Sequence, residues 1–207
     1  MNTMNKKAQL LAYYSPDRRE AGCDEAGRGC LAGPVFAAAV VFPTDLRLPL
    51  LNDSKQLSGQ QRNELRKAIE TNAIDWAVAS IDHNTIDKVN ILQASFMAMH
   101  EAIVGLKNAP ELLLIDGNRF RPFPGIPHQC FVKGDARFMA IAAASILAKT
   151  HRDEFMQQLH KQFPQYGWDK NKGYPTRHHI EALNEYGPSP FHRMSFKVKT
   201  QLRFPFG

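Results

Sequence analysis

Cysteine is scarce in this chain, and what there is does not pair. Cys23, Cys30 and Cys130 are odd in number and show no CxxC or Cys/His spacing, so neither a disulfide framework nor a structural zinc is expected. Buried free thiols in a reducing, cytoplasmic setting are the plain expectation. Long apolar runs are lacking as well: none approaches the roughly 20 residues that a bilayer span requires, so no membrane partner is expected. Met1–Tyr14 carries lysines and a short apolar patch without a small-residue cleavage site, and reads as a tail rather than a leader. Nucleotide-binding loops are missing too. There is no GxxxxGK[ST], and the glycines of Gly27–Gly33 do not fit GxGxxG and lead into a strand instead of a helix. HExxH and GxSxG are absent, and adjacent His178 and His179 would face different sides of a helix, which argues against zinc hydrolysis and acyl transfer.

What is present suits one soluble domain. A length of 207 residues leaves room for a sizeable core, and 43% hydrophobic residues supply it. Twenty-six Lys and Arg against 20 Asp and Glu give a net charge of +6, a mild excess that favours anionic partners, nucleic acid among them.

The segment from Glu20 to Phe42 reads as strand, glycine-rich turn, strand: a hairpin that opens a sheet. Ser58 with Gln61 forms a capping box, and Leu65, Ile69 and Ala73 follow at helical spacing, so a helix is predicted from Ser58 to Asn72. Trp76–Ile81 reads as a strand. From Asn84 to Leu106 the apolar residues recur at helical spacing and predict one long amphipathic helix. Leu112–Ile115 is a short apolar run closed by Asp116 and Gly117, hence a strand buried on both faces. Gln129–Val132 makes another strand. Asp135–Phe163 then reads as a helix whose alanine-rich stretch, Ala140–Ala148, lets another backbone approach closely. A last helix is predicted from Thr176 to Tyr186. The class is α/β with a mixed sheet.

Acidic residues stand at the ends of apolar segments: Asp24 and Glu25 after the first strand, Asp116 after the buried one, Asp135 where strand gives way to helix. Strand ends of an α/β sheet are where sites are built. Each acid alone also has an ordinary account: Asp116–Gly117 is a turn signal, Asp135 a helix cap, and Asp24–Glu25 an exposed strand end. Strand alternation sends Asp24 and Glu25 to opposite faces, so they share one site only if the pleat breaks there. If the four carboxylates converge, their repulsion requires raised pKa values or bound cations. Hard divalent ions, Mg²⁺ or Mn²⁺, are the partners of an all-oxygen set, and two of them balance four carboxylates and can clamp the attacking and departing oxygens of a phosphodiester.

Six collinear motifs resemble bacterial ribonuclease HII: Cys23–Gly29, Leu51–Ser58, Leu114–Asn118, Val132–Asp135, Ala143–Lys149 and Lys172–Thr176. The resemblance implies a ribonuclease H-like fold, a mixed five-stranded sheet flanked by helices, with a helical C-terminal part. It implies a flexible extension over 1–19, a catalytic domain over 20–196 and a tail over 197–207. It further implies cleavage of the RNA strand of RNA/DNA hybrids and incision 5′ to single ribonucleotides embedded in duplex DNA, leaving 3′-hydroxyl and 5′-phosphate ends. Asp24, Glu25, Asp116 and Asp135 resemble the metal-binding carboxylates. Gly27, Arg28 and Gly29 resemble the turn that reads the 2′-hydroxyl, the group that separates RNA from DNA. Tyr174 resembles the tyrosine that stacks beside the RNA–DNA junction, and Lys55, Ser145 and Lys149 would be backbone or supporting contacts. The chain departs from the usual pattern at Cys30, Ala136 and Met194, none of them a carboxylate. Arg203–Phe206 offers a peptide for a sliding clamp, or simply a frayed hydrophobic end. Two rivals stay open: a DNA nuclease of similar chemistry, and a binding module whose acids only cap and turn.

Overall fold

Apolar alternation in Glu20–Ala26 (β1) and Val35–Val41 (β2) becomes an antiparallel pair, Cys23 opposite Ala39, in the computed structural model, which describes residues 9–46, 48, 51 and 57–197. β3 (Asp75–Ile81) adds antiparallel to β2, while β4 (Leu112–Asp116) runs parallel to β1 and β5 (His128–Phe131) parallel to β4. The order β3-β2-β1-β4-β5 is the mixed five-stranded sheet that the resemblance implies.

Strand alternation divides the core in two. Val35, Ala37, Ala39 and Val41 turn to the face covered by Ala94, Ala98, Met99 and Ile103 of α3 (Ile91–Val104). Ala38 and Val40 turn to the other face, against Leu65 and Ile69 of α1 (Gly59–Asn72) and the alanines of α4 (Met139–Gln162). The low bulk of α4 works as predicted: a Cβ on Gly22 of β1 would lie 2.2 Å from the Ala140 carbonyl carbon. A third, smaller core joins the far end of α4 to Tyr166, to Trp168 of α5 (Trp168–Asn171) and to Ala182 of α6 (Arg177–Tyr186). Among the described residues, no helix is long and apolar enough to cross a membrane.

Three expectations are corrected. The helix predicted over 84–106 is two helices, α2 (His83–Val89) and α3, because Asn90 takes φ +70° and its side chain accepts from the Leu92 and Gln93 amides, capping the second helix. The long helix begins at Met139, not Asp135; a 3₁₀ turn over Gly134–Ala136 intervenes, so Asp135 is not its cap. β5 starts and ends one residue earlier than predicted, at His128 and Phe131. The N-terminal stretch from Leu10 is fastened to the domain: Leu10 is buried, Leu11 bridges to Phe138, and the Glu20 carboxylate accepts from the Tyr14 amide at 2.9 Å and from the Ser15 amide.

Candidate active site

The parallel register between β1 and β4 ends at Cys23 opposite Ile115, which sets Asp24 next to Asp116. β1 continues to Ala26 beside β2 alone. The ladder with β2 therefore runs unbroken through Asp24–Glu25, and β1 outruns β4. Asp24 is buried, with Oδ1 accepting from the Glu25 amide at 2.7 Å and a further hydrogen bond from Ser145 on α4. Burial, then Glu25, then Asp116, hold its carboxyl well above the usual carboxylate range, and the Ser145 bond offsets only part of that. Glu25 is raised chiefly by burial, opposed by Arg28, whose Nη1 lies 2.8 Å from Oε1. Asp116 is steadied from the next loop: its Oδ1 accepts from the Gly134 amide at 2.7 Å. Asp135 is the next residue in that 3₁₀ turn, half-buried.

Asp24, Glu25 and Asp116 thus stand within electrostatic reach of one another, and Asp135 follows Gly134, whose amide binds Asp116. Among the described residues, no three His, Cys, Asp or Glu side chains are grouped as a ready-made metal cage. The donor chemistry nonetheless fits a hard divalent cation. All the groups are carboxylate oxygens, they repel one another when charged, and Mg²⁺ typically uses one or two protein carboxylates while keeping waters or substrate phosphates.

Beside the acids runs the turn from Gly27 to Pro34. Gly27 has φ +97°, and a Cβ on it would fall 2.0 Å from Arg152 Nε. Gly29 is exposed, and a Cβ there would meet only Tyr174 Cε1, at 3.9 Å. Packing within the protein therefore demands a glycine at position 27 but not at 29. Tyr174, partly exposed, shares a hydrogen bond with Cys30, and burial raises its phenol pKa. Ser145 and Lys149 lie one turn apart on α4; Lys149 Nζ stands 3.3 Å from Asp153. Lys55 and the Arg203–Phe206 peptide lie outside the described residues.

Two residues missed from the sequence hold the turn. Arg152, almost fully buried, donates Nε to Pro34 O at 3.0 Å, Nη1 to Lys172 O at 2.8 Å and Nη2 to Ala32 O at 3.1 Å. Arg193 donates Nε to Gly33 O at 2.9 Å and Nη1 to Arg28 O at 3.1 Å; burial lowers its pKa to about 10. Arg152 had a visible signal. It falls on the stripe Ala148, Arg152, Met156, Leu159, where an arginine among apolar residues must be paired. Arg193 had none.

Comparison with known proteins gives the family. The family profile described as Ribonuclease HII matches residues 21–199. The Ribonuclease HII of Porphyromonas gingivalis is 59% identical over 188 residues, covering 91% of this chain and 94% of its own. That of Phocaeicola vulgatus is 54% identical over 200 residues, covering 95% and 100%. Among solved structures, the RNase HII in the PCNA:RNase HII complex from Archaeoglobus fulgidus superimposes with TM-score 0.77 at 28% identity, covering 91% of this chain and 100% of that one. Bst-RNase HIII in complex with Mn²⁺ shares the fold, with TM-score 0.66 at 20% identity over 86% of this chain and 67% of that one. The matched span takes in both the acidic strand ends and the glycine turn, and the chain accordingly belongs to the ribonuclease HII family, a metal-dependent endoribonuclease of the ribonuclease H type that acts on RNA/DNA hybrids.

Proposed function

We propose that this endoribonuclease, besides cutting the RNA strand of hybrids, incises duplex DNA on the 5′ side of a single embedded ribonucleotide, leaving 3′-hydroxyl and 5′-phosphate ends, as a step in ribonucleotide removal. The observation that carries this is a juxtaposition: Asp24, Glu25 and Asp116 crowd together beside Gly29, whose open backbone sits under Tyr174. A ribose 2′-hydroxyl needs close polar backbone, and a scissile phosphate needs countercharge, which cations held by these acids would supply.

Asp24, Glu25, Asp116 and Asp135 are the residues that would hold divalent metal. A pair of Mn²⁺ or Mg²⁺ ions bound there would supply an acidified water and countercharge for the departing 3′-oxygen. The chain's own part is orientation. Ser145 and the Glu25 amide fix the Asp24 carboxylate, Arg28 restrains Glu25, and the Gly134 amide fixes Asp116. Gly27, Arg28 and Gly29 read the 2′-hydroxyl, Tyr174 stacks on the sugar beside the junction, and Lys149 and Lys55 contact the phosphate backbone. A sliding clamp is the proposed protein partner, engaged through the C-terminal tail.

The test is a gel assay on one duplex made with and without a single ribonucleotide, with Mn²⁺ or Mg²⁺ and with EDTA. Incision should require both the ribonucleotide and the metal, and the yield with each ion decides between them. Cutting of the all-DNA duplex would instead indicate a DNA nuclease, and binding without cutting a recognition module.

A further inference from the structure

Behind the glycine turn, in the core formed by Tyr166, Trp168 and Ala182, two histidines meet nitrogen to nitrogen. His179 of α6 is fully buried; its Nε2 lies 3.1 Å from Trp168 Nε1 and 3.0 Å from His192 Nε2, and its Nδ1 lies 2.9 Å from Tyr174 O. His192 Nδ1 lies 2.8 Å from the Ser189 amide nitrogen and 2.8 Å from Ser189 Oγ.

The fixed donors determine where the protons are. A backbone amide and an indole N–H can only donate. His192 Nδ1 therefore accepts from Ser189, and its proton sits on Nε2, directed at His179. His179 Nε2 accepts from both His192 and Trp168, which leaves its own proton on Nδ1, directed at the Tyr174 carbonyl. Both rings are neutral in this arrangement, and every ring nitrogen is used.

The relay joins the two sides of the site. His192 belongs to the segment that pairs with the glycine turn: Gly33 donates to Phe191 O at 2.9 Å, Arg193 donates to Leu31 O at 2.8 Å, and the Arg193 guanidinium holds the Arg28 and Gly33 carbonyls. Tyr174 is on the other side, its carbonyl held by His179. From this geometry we infer that His179 and His192 are positioning residues that set the spacing between the Tyr174 ring and the backbone of Gly29, and so tune cleavage at a single embedded ribonucleotide. A buried polar network that is fully satisfied favours one geometry over its neighbours, whereas apolar residues in the same space would pack without fixing a spacing.

The inference rests on the junction-reading role proposed for Tyr174, and a double-mutant cycle separates the two. For each variant the measured quantity is kcat/KM on the embedded-ribonucleotide duplex divided by kcat/KM on a long hybrid. His179→Phe should lower that ratio about tenfold, since small misplacements of positioning groups are felt at that scale. In a Tyr174→Ala background the same substitution should change it less than about twofold, because coupled residues are not additive. Tyr166→Phe, which removes the bond from the Tyr166 hydroxyl to Gly187 O in the same core, should leave the ratio unchanged. If Tyr174→Ala itself leaves the ratio unmoved, the role of Tyr174 is wrong. If Tyr174→Ala lowers it and His179→Phe does not, or if the two effects simply multiply, the positioning role is wrong. Should His179→Phe fail to fold, the intact protein still decides: ¹H–¹⁵N spectra of the imidazoles at neutral pH should show His179 protonated on Nδ1 and His192 on Nε2, and any other assignment overturns the relay.

Discussion

The acidic strand ends and the glycine turn are neighbours at the end of β1, yet they are held in place by different means. Asp24 and Asp116 stand together because two strands are in register, Cys23 opposite Ile115, a relationship that the backbone ladder imposes whatever the acids cost. The turn is held from a distance, by Arg152, which is 118 and 120 residues away from the Pro34 and Ala32 carbonyls it binds, and by Arg193, 160 residues from Gly33. One region crowds buried carboxyls that repel one another, offset in part by Arg28 and by hydrogen bonds. The other is a scaffold clamped by arginine hydrogen bonds to main-chain carbonyls, with one exposed glycine. Damage to the first should therefore appear in the chemistry, and damage to the second in the fold.

The largest effect is expected at the acids. Asp24→Asn or Asp116→Asn should lower cleavage by on the order of a thousandfold or more, the several kcal/mol that metal-centred charge stabilisation supplies, with hybrid binding within a few-fold of normal. Single-turnover cleavage and a binding titration measure both. Asp24→Asn should also leave the urea midpoint unchanged or higher, since an amide avoids the burial of charge, and then the repulsion from Glu25 and Asp116, that raise the native carboxyl. A variant that still cuts would remove these acids from the site, and one that unfolds would make them structural.

The two glycines sharpen the contrast at smaller scale. Gly27→Ala combines a φ of +97° with a Cβ 2.0 Å from the buried Arg152 Nε, so a loss of roughly 3 kcal/mol is expected by urea unfolding. Gly29→Ala should change stability by no more than about 0.5 kcal/mol, because the new methyl meets only a ring edge at 3.9 Å. It should instead reduce cleavage at an embedded ribonucleotide. Equal destabilisation by both would mean that Gly29 is there for packing, and its proposed contact with the 2′-hydroxyl would be lost.

The same contrast explains what could be read from sequence. Asp24, Glu25 and Asp116 were legible because each follows an apolar run with strand character, and strand ends of such sheets face the site. The mixed sheet followed from the same runs, and Ala140–Ala148 announced a close helix-to-strand approach. The break at Asn90 was hidden because apolar spacing continues across it, and one residue in a left-handed conformation does not disturb a helical periodicity. Asp135 looked like a helix cap because three residues of 3₁₀ turn resemble the start of a helix. Of the arginine clamps, the place of Arg152 on an apolar helical stripe shows in the sequence, but what either arginine holds does not. Their partners are main-chain carbonyls, which carry no sequence signature, and their distances along the chain exceed any local pattern. The sequence motifs mark where chemistry is placed; tertiary hydrogen bonds to backbone decide what holds it there.

A last test probes the scaffold through pH. Burial, then the neighbouring His179, then His83, lower the pKa of His192 to about 4 in the folded chain, against 6.5 when free. A group depressed in this way contributes stability that is complete above pH 6.5 and is lost as pH falls from there toward 4, because the unfolded chain takes up the proton first. Between pH 8 and pH 5 this amounts to about 2 kcal/mol. Asp24 and Glu25 act in the opposite sense, since carboxyls raised in the folded state gain protons, and stability, as pH falls. The net slope of the native protein therefore mixes both regions, and the comparison with His192→Gln separates them. Removing the histidine should flatten the loss of urea stability between pH 8 and pH 5 while leaving the contribution of the acids in place. An unchanged slope would mean that the imidazole is not buried neutral, and that the scaffold behind the glycine turn is more open to water than its hydrogen bonds imply.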